Sequence, residues 1–179
     1  MSQTLEQYNA VIAECKALFL RKAADYGTAW TILRMPSVTD QIGIKAERIR
    51  SIQEKQVNLV GDSLESEFIG IINYCLIALM LLDRQKEVQN LADSDVLSQA
   101  YEAKVEVVRD TMLQKNHDYG EAWRNMRISS MTDLILMKIL RVKQIEDNEG
   151  KTQVSEGVAA NYIDMLNYAV FCLILMREE

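Results

Sequence analysis

At 179 residues the chain has room for one domain, or for two small halves that share a core. With 49% hydrophobic and 26% charged residues, 7 glycines and 1 proline, the composition excludes a disordered or loop-rich chain and points to an all-α globular protein. The formal charge of −6 and a pI near 5.0 argue against direct polynucleotide binding, which needs clustered cations, and leave small anionic ligands open.

The first predicted helix runs from Thr4 to Asp25, with apolar residues at Leu5, Tyr8, Val11, Ile12, Cys15, Leu18 and Phe19, the three-and-four spacing of one buried stripe. Gly27 supplies a helix stop, and Pro36 argues for a connection before the next helix. Tyr26 and Trp30 fall in that connection. Ser37 to Asp40 has the S-x-x-D form of a capping box, so a second helix is expected from there to about Val57. A third, Ser63 to about Gln85, contains FIGIINYCLIALMLL, apolar on nearly every side and therefore central in a bundle.

A polar joint at Glu87–Asp95 leads to a fourth helix, Asp95 to about Asn116, which repeats the stripe of the first. A second S-x-x-D cap at Ser130–Asp133 opens a fifth helix to about Asp147, and a sixth spans Val154 to Arg177. The apolar runs at 68–82 and 165–176 are read as too short to span a bilayer, so no membrane segment is expected. Cys15, Cys75 and Cys172 are odd in number and lie in apolar helical pattern, which suggests reduced core thiols and a cytoplasmic location.

Lys22–Ile52 recurs as Lys115–Ile145, 93 positions later, with 14 of 31 positions identical. After a one-residue change in loop length, Phe68–Tyr74 faces Tyr162–Tyr168, so Asn73 matches Asn167 and Gly70 matches Asp164. This predicts one domain built from two tandem three-helix repeats, about 4–86 and 94–179, related by a pseudo-twofold axis.

Three groups of residues stand out. Asn161, Asp164 and Asn167 form a polar stripe on an otherwise apolar sixth helix, and unpaired burial would cost several kcal/mol. They point either to a metal or nucleotide site with Asp164 as a ligand, or to an interhelical hydrogen-bond network. Lys45 with Arg48, and Lys138 with Arg141, each place two cations on one helix face, able to hold phosphate. The block K-x-x-D-Y-G-x-A-W adds Tyr26, Trp30 and Arg34, with Tyr119, Trp123 and Arg127 in the second copy, rings for a base and guanidinium groups for phosphate. The alternative is structural: the glycines stop helices, Lys22 and Lys115 suit helix C-termini, and the rings plug a turn. Asp40, Asp133, Asp62 and Glu156 stand at expected helix starts, where a carboxylate is favoured on structural grounds and is also a potential ligand for a divalent ion.

Together, K-x-x-D-Y-G-x-A-W, S-x-x-D followed by K-x-x-R, and D-x-x-N-Y resemble the nucleotide modification associated domain family of small helical bacterial and phage proteins. The resemblance spans nearly the whole chain and implies a link to nucleotide metabolism. A more distant similarity is to MazG-like all-alpha NTP pyrophosphohydrolases, helical bundles that bind magnesium through E-E-x-x-E and a later E-x-x-D. Here Asn161-x-x-Asp164 and Glu67-x-x-Gly70 each keep half of the second motif, and the first is absent. On this likeness Glu67, Asp133, Glu156 and Asp164 are the expected magnesium ligands and a nucleotide the expected partner. The expected function is nucleotide binding in nucleotide metabolism or modification, with magnesium-dependent NTP pyrophosphohydrolysis as the expected reaction; a non-catalytic nucleotide-binding module or a structural helical module is the alternative, and a second copy of the chain is a further candidate partner.

Overall fold

The computed structural model describes residues 2–84, 90–153 and 156–178, and among these it has six α-helices and no strand. They are α1 (Gln3–Tyr26), α2 (Met35–Lys55), α3 (Leu64–Arg84), α4 (Ser94–Tyr119), α5 (Ile128–Asp147) and α6 (Val158–Glu178), with single 3-10 turns at Ala29–Ile32 and Ala122–Asn125. The start of the expected polar joint, at 87–89, the expected end of the third helix, Gln85, and the expected first residue of the sixth helix, Val154, lie outside the described residues.

Helix boundaries follow local chemistry. Ser2 caps α1 by accepting from the Leu5 amide at 3.3 Å, Asp93 caps α4 by accepting from Asp95 and Val96, and Ser63 accepts from the Ser66 amide before α3. α1 and α4 stop at Gly27 (φ 68°) and Gly120 (φ 60°), a region glycine enters without a Cβ penalty. The capping boxes are not formed. α2 and α5 start earlier than expected, on N-cap residues Arg34 and Arg127, and neither has a side-chain cap bond. Ser37 and Ser130 are already helical, and Pro36 sits in the first turn of α2, where its missing amide costs nothing.

α3 and α6 cross at the centre, α2 lies on α3 as α5 lies on α6, and α2 meets α5. α1 packs on α6 and α4 on α3, so each outer helix leans on the central helix of the other copy. Both central helices are long and apolar enough to cross a membrane by length and composition, which corrects the shorter estimate made from the apolar runs alone. They are 67% and 61% buried over those windows, as core helices of a bundle would be. Tyr8, Ile42, Ile49, Phe68, Leu76, Tyr101 and Tyr162 are wholly buried, and each large apolar side chain so placed contributes about 1.5–3 kcal/mol. Neither half alone would cover its central helix. The three cysteines are buried and free; burial pushes the Cys15 thiol up to about 12 and raises the other two as well.

Several polar contacts, within and between the copies, come in matched pairs. Asn73 donates to Cys15 O at 3.1 Å and accepts from Tyr101 OH at 2.9 Å, while Asn167 donates to Val108 O at 3.3 Å and accepts from Tyr8 OH at 2.8 Å. Thr39 Oγ1 lies 2.7 Å from Glu146, and Gln53 donates to Thr132 Oγ1 at 3.2 Å. Asp40 pairs with Lys143 at 3.2 Å, and Asp133 with Arg50 at 3.6 Å. Each contact maps onto its mate by the 93- or 94-residue offset between copies.

Candidate functional site: a cavity in the first copy

The 3-10 turn after α1 swings Trp30 back toward α3, and a cavity of about 470 Å³ opens between them. Its walls carry Phe19, Tyr26, Trp30, Tyr74, Ile69 and Ile77, and its polar edge carries Lys22, Lys45, Ser66 and Asn73. A flat apolar wall with cations at one side is the composition of a small-molecule site. Trp30 is half-buried and touches Phe19 at a ring distance of 6.1 Å. Tyr26 is 60% exposed at the mouth. Tyr74 has its phenol raised, first by burial and then by Tyr26.

Lys45 leans across α3. A Cβ added at Gly70 would meet its Cε at 2.7 Å and its Cδ at 2.8 Å, so the glycine makes room for the lysine stem. Its ammonium is 3.6 Å from Glu67, which also holds Arg48 in a closer ion pair. Arg48 bonds Asn58 Oδ1 and Asp62 O as well, and so stands beside the cavity with its donors engaged. Lys22 has no ion pair among the described residues.

The second copy holds the same parts in another arrangement. Asp164, where the first copy has Gly70, receives Lys115 at 2.5 Å and Lys138 at 2.7 Å. Burial opposes its charge, but these two bonds outweigh it and keep the carboxyl below its usual range. Trp123 is buried, stacked on Phe171 with centroids 4.2 Å apart, and Arg124 lies 4.4 Å from its ring centre. The first copy has Ile77 and Thr31 in place of Phe171 and Arg124. A shallower cleft of about 610 Å³ lies on α5 and α6, lined by Lys138, Arg141, Gln144, Glu156 and Asn161. It is the larger space, but it has no aromatic wall, and Lys138 is already engaged by Asp164.

Of the residues singled out from the sequence, Tyr26, Trp30, Lys45 and Asn73 come together at the first-copy cavity, though both polar atoms of the Asn73 amide are engaged in the core. Arg34 and Arg127 stand exposed at helix starts and line none of the cavities described. Asn167 belongs to the inter-copy network, Asn161 bonds Gly157 O at 3.1 Å, and Arg141 lies 3.9 Å from the Met137 sulfur. Tyr119 is 72% exposed. The expected magnesium ligands do not converge: Glu67 and Asp164 are each tied to two cations, Asp133 to Arg50, and Glu156 faces the second-copy cleft. Among the described residues no three His, Cys, Asp or Glu side chains gather.

Lys22, Lys115 and Gly70 matter more in the fold than their places in the sequence suggest. The lysines were legible as helix ends, although their identity in both copies was the available signal. Gly70 was legible only as a lost acid, and its role as the floor under Lys45 needed coordinates.

Curated proteins and solved structures give no significant match to the chain. A family model described as nucleotide modification associated domain 1 matches twice, over residues 22–82 and 115–176. The matched segments take in the Asp-Tyr-Gly turn, the lysine-arginine helix and the central helix of each copy, and the chain therefore belongs to the nucleotide modification associated domain 1 family.

Proposed function

We propose that the chain binds a nucleotide in the first-copy cavity, with the base against Trp30 and Tyr74 and the phosphates toward Lys22 and Lys45. The observation that carries this reading is the junction, in one 470 Å³ space, of an aromatic wall with two lysines, one of which has no ion pair among the described residues. Stacking on such a wall contributes about 1–3 kcal/mol per base, and the ammonium groups supply charge-assisted bonds to phosphate. The family's association with nucleotide modification supports the same ligand class.

The reading has the two copies form a MazG-like bundle about a pseudo-twofold axis, which the matched contacts between copies support. Magnesium enters as the ion a triphosphate brings with it, since magnesium bound through phosphates needs only one or two carboxylates from protein. The dispersed carboxylates favour a binding role over pyrophosphohydrolysis.

Titrating the full chain with canonical and modified dNTPs, with and without magnesium, tests this by calorimetry and by product analysis. Saturable binding without turnover is expected, weakened about tenfold or more by Lys45→Ala, the loss of one charge-assisted contact. Turnover would replace the binding role by an enzymatic one. Absence of saturable binding across the panel would overturn the reading.

A further inference from the structure

The two copies differ at one position that defines where an anion sits. In the second copy the Asp164 carboxylate bridges Lys115 and Lys138 at 2.5 and 2.7 Å. The equivalent lysines of the first copy, Lys22 and Lys45, border one cavity, and Gly70 occupies the place of the aspartate. From this we infer that Asp164 is a built-in stand-in for the ligand's acidic group, and that in the first copy a phosphate or carboxylate of the ligand bridges Lys22 and Lys45 above Gly70.

The charges around that point favour an incoming anion. Glu67, one helical turn before Gly70, is shared between Arg48 and Lys45, with Lys45 at 3.6 Å. Among the described residues no carboxylate pairs with Lys22. In the second copy Asn161 replaces Glu67, so the one acid has moved a turn along the helix and closes the site. Phe171, where the first copy has Ile77, fills the place beside Trp123 in the same way. The consequence is one ligand site per chain, with the second copy retained as a permanently occupied version.

The inference rests on the nucleotide reading for the ring end of the ligand, whereas its acidic end is testable without a base. Melting curves of wild type, Gly70→Asp and Asp164→Gly are compared with and without inorganic pyrophosphate, and again with a nucleoside triphosphate. In wild type, pyrophosphate at about a hundredfold excess over Kd raises Tm by roughly 5 °C. Gly70→Asp, whose added Cβ meets first the flexible end of the Lys45 side chain, melts at least as high as wild type and no longer responds. Asp164→Gly melts lower and recovers in pyrophosphate, as an external anion replaces the missing carboxylate. A pyrophosphate response that survives in Gly70→Asp, or no response in wild type, overturns the inference even where nucleotides bind. A pyrophosphate response without any nucleotide response sustains the anion site and rejects the nucleotide reading.

Discussion

Single residues decide what each buried polar group does here. Glu146 shows this best, because its second-copy position is matched by Gln53 in the first. Its carboxylate lies 2.7 Å from Thr39 Oγ1 and 3.5 Å from Tyr162 OH. Burial raises its pKa above the ordinary 4.5, and the bonds from Thr39 and Tyr162 offset only part of that. A carboxyl with a raised folded-state pKa favours the fold most when protonated. Its contribution is therefore complete below pH 4.5, declines as pH rises through the folded-state value, and is lost above it. Glu146→Gln keeps an acceptor for Thr39 and removes the charge. Denaturant melts between pH 4.5 and 7 are expected to show the variant more stable than wild type at pH 7, with the difference shrinking toward pH 4.5. A difference that grows on acidification would contradict the cause assigned to the shift.

At the scale of elements, the starts of α2 and α5 are governed by backbone position and not by their serines. Ser37→Ala is accordingly expected to change stability by less than about 0.5 kcal/mol, where loss of a true cap costs roughly 0.5–2 kcal/mol. Ser129 occupies in α5 the place of Pro36 in α2, within the first turn, where the amide has no carbonyl four residues back. Ser129→Pro should therefore stabilise by about 0.4–1 kcal/mol through the unfolded chain, read as a higher urea midpoint; a lower midpoint would show that the two helix starts differ in backbone.

Periodicity made the six helices and the centrality of α3 and α6 legible in sequence, because apolar spacing reports burial directly. The S-x-x-D motif misled because the same two residues serve other ends: the serines lie inside the helices, and Asp40 and Asp133 reach across to Lys143 and Arg50. Asn73 and Asn167 were legible as groups needing partners. That their partners are tyrosines of the opposite copy depends on how α1 and α4 cross the bundle. Tyr26, Trp30 and Lys45 were legible as candidates, but not that they border an open space in one copy, since that depends on small differences between copies, Gly70 against Asp164 and Ile77 against Phe171.

Across the whole molecule, duplication supplies two copies of one framework, and the interface fixes each against the other by paired contacts. With the scaffold secured twice, one site can be filled by its own side chains while the other stays open. Trp30 borders the open space and Trp123 is stacked in the filled one, so the two tryptophans are separate reporters. The most direct measurement is fluorescence of two single-tryptophan proteins, Trp123→Phe and Trp30→Phe, during titration with a dNTP panel. Saturable quenching of Trp30 with an unchanged Trp123 signal is the predicted result. An unresponsive Trp30, or an equal response from Trp123, would contradict a nucleotide site confined to the first copy.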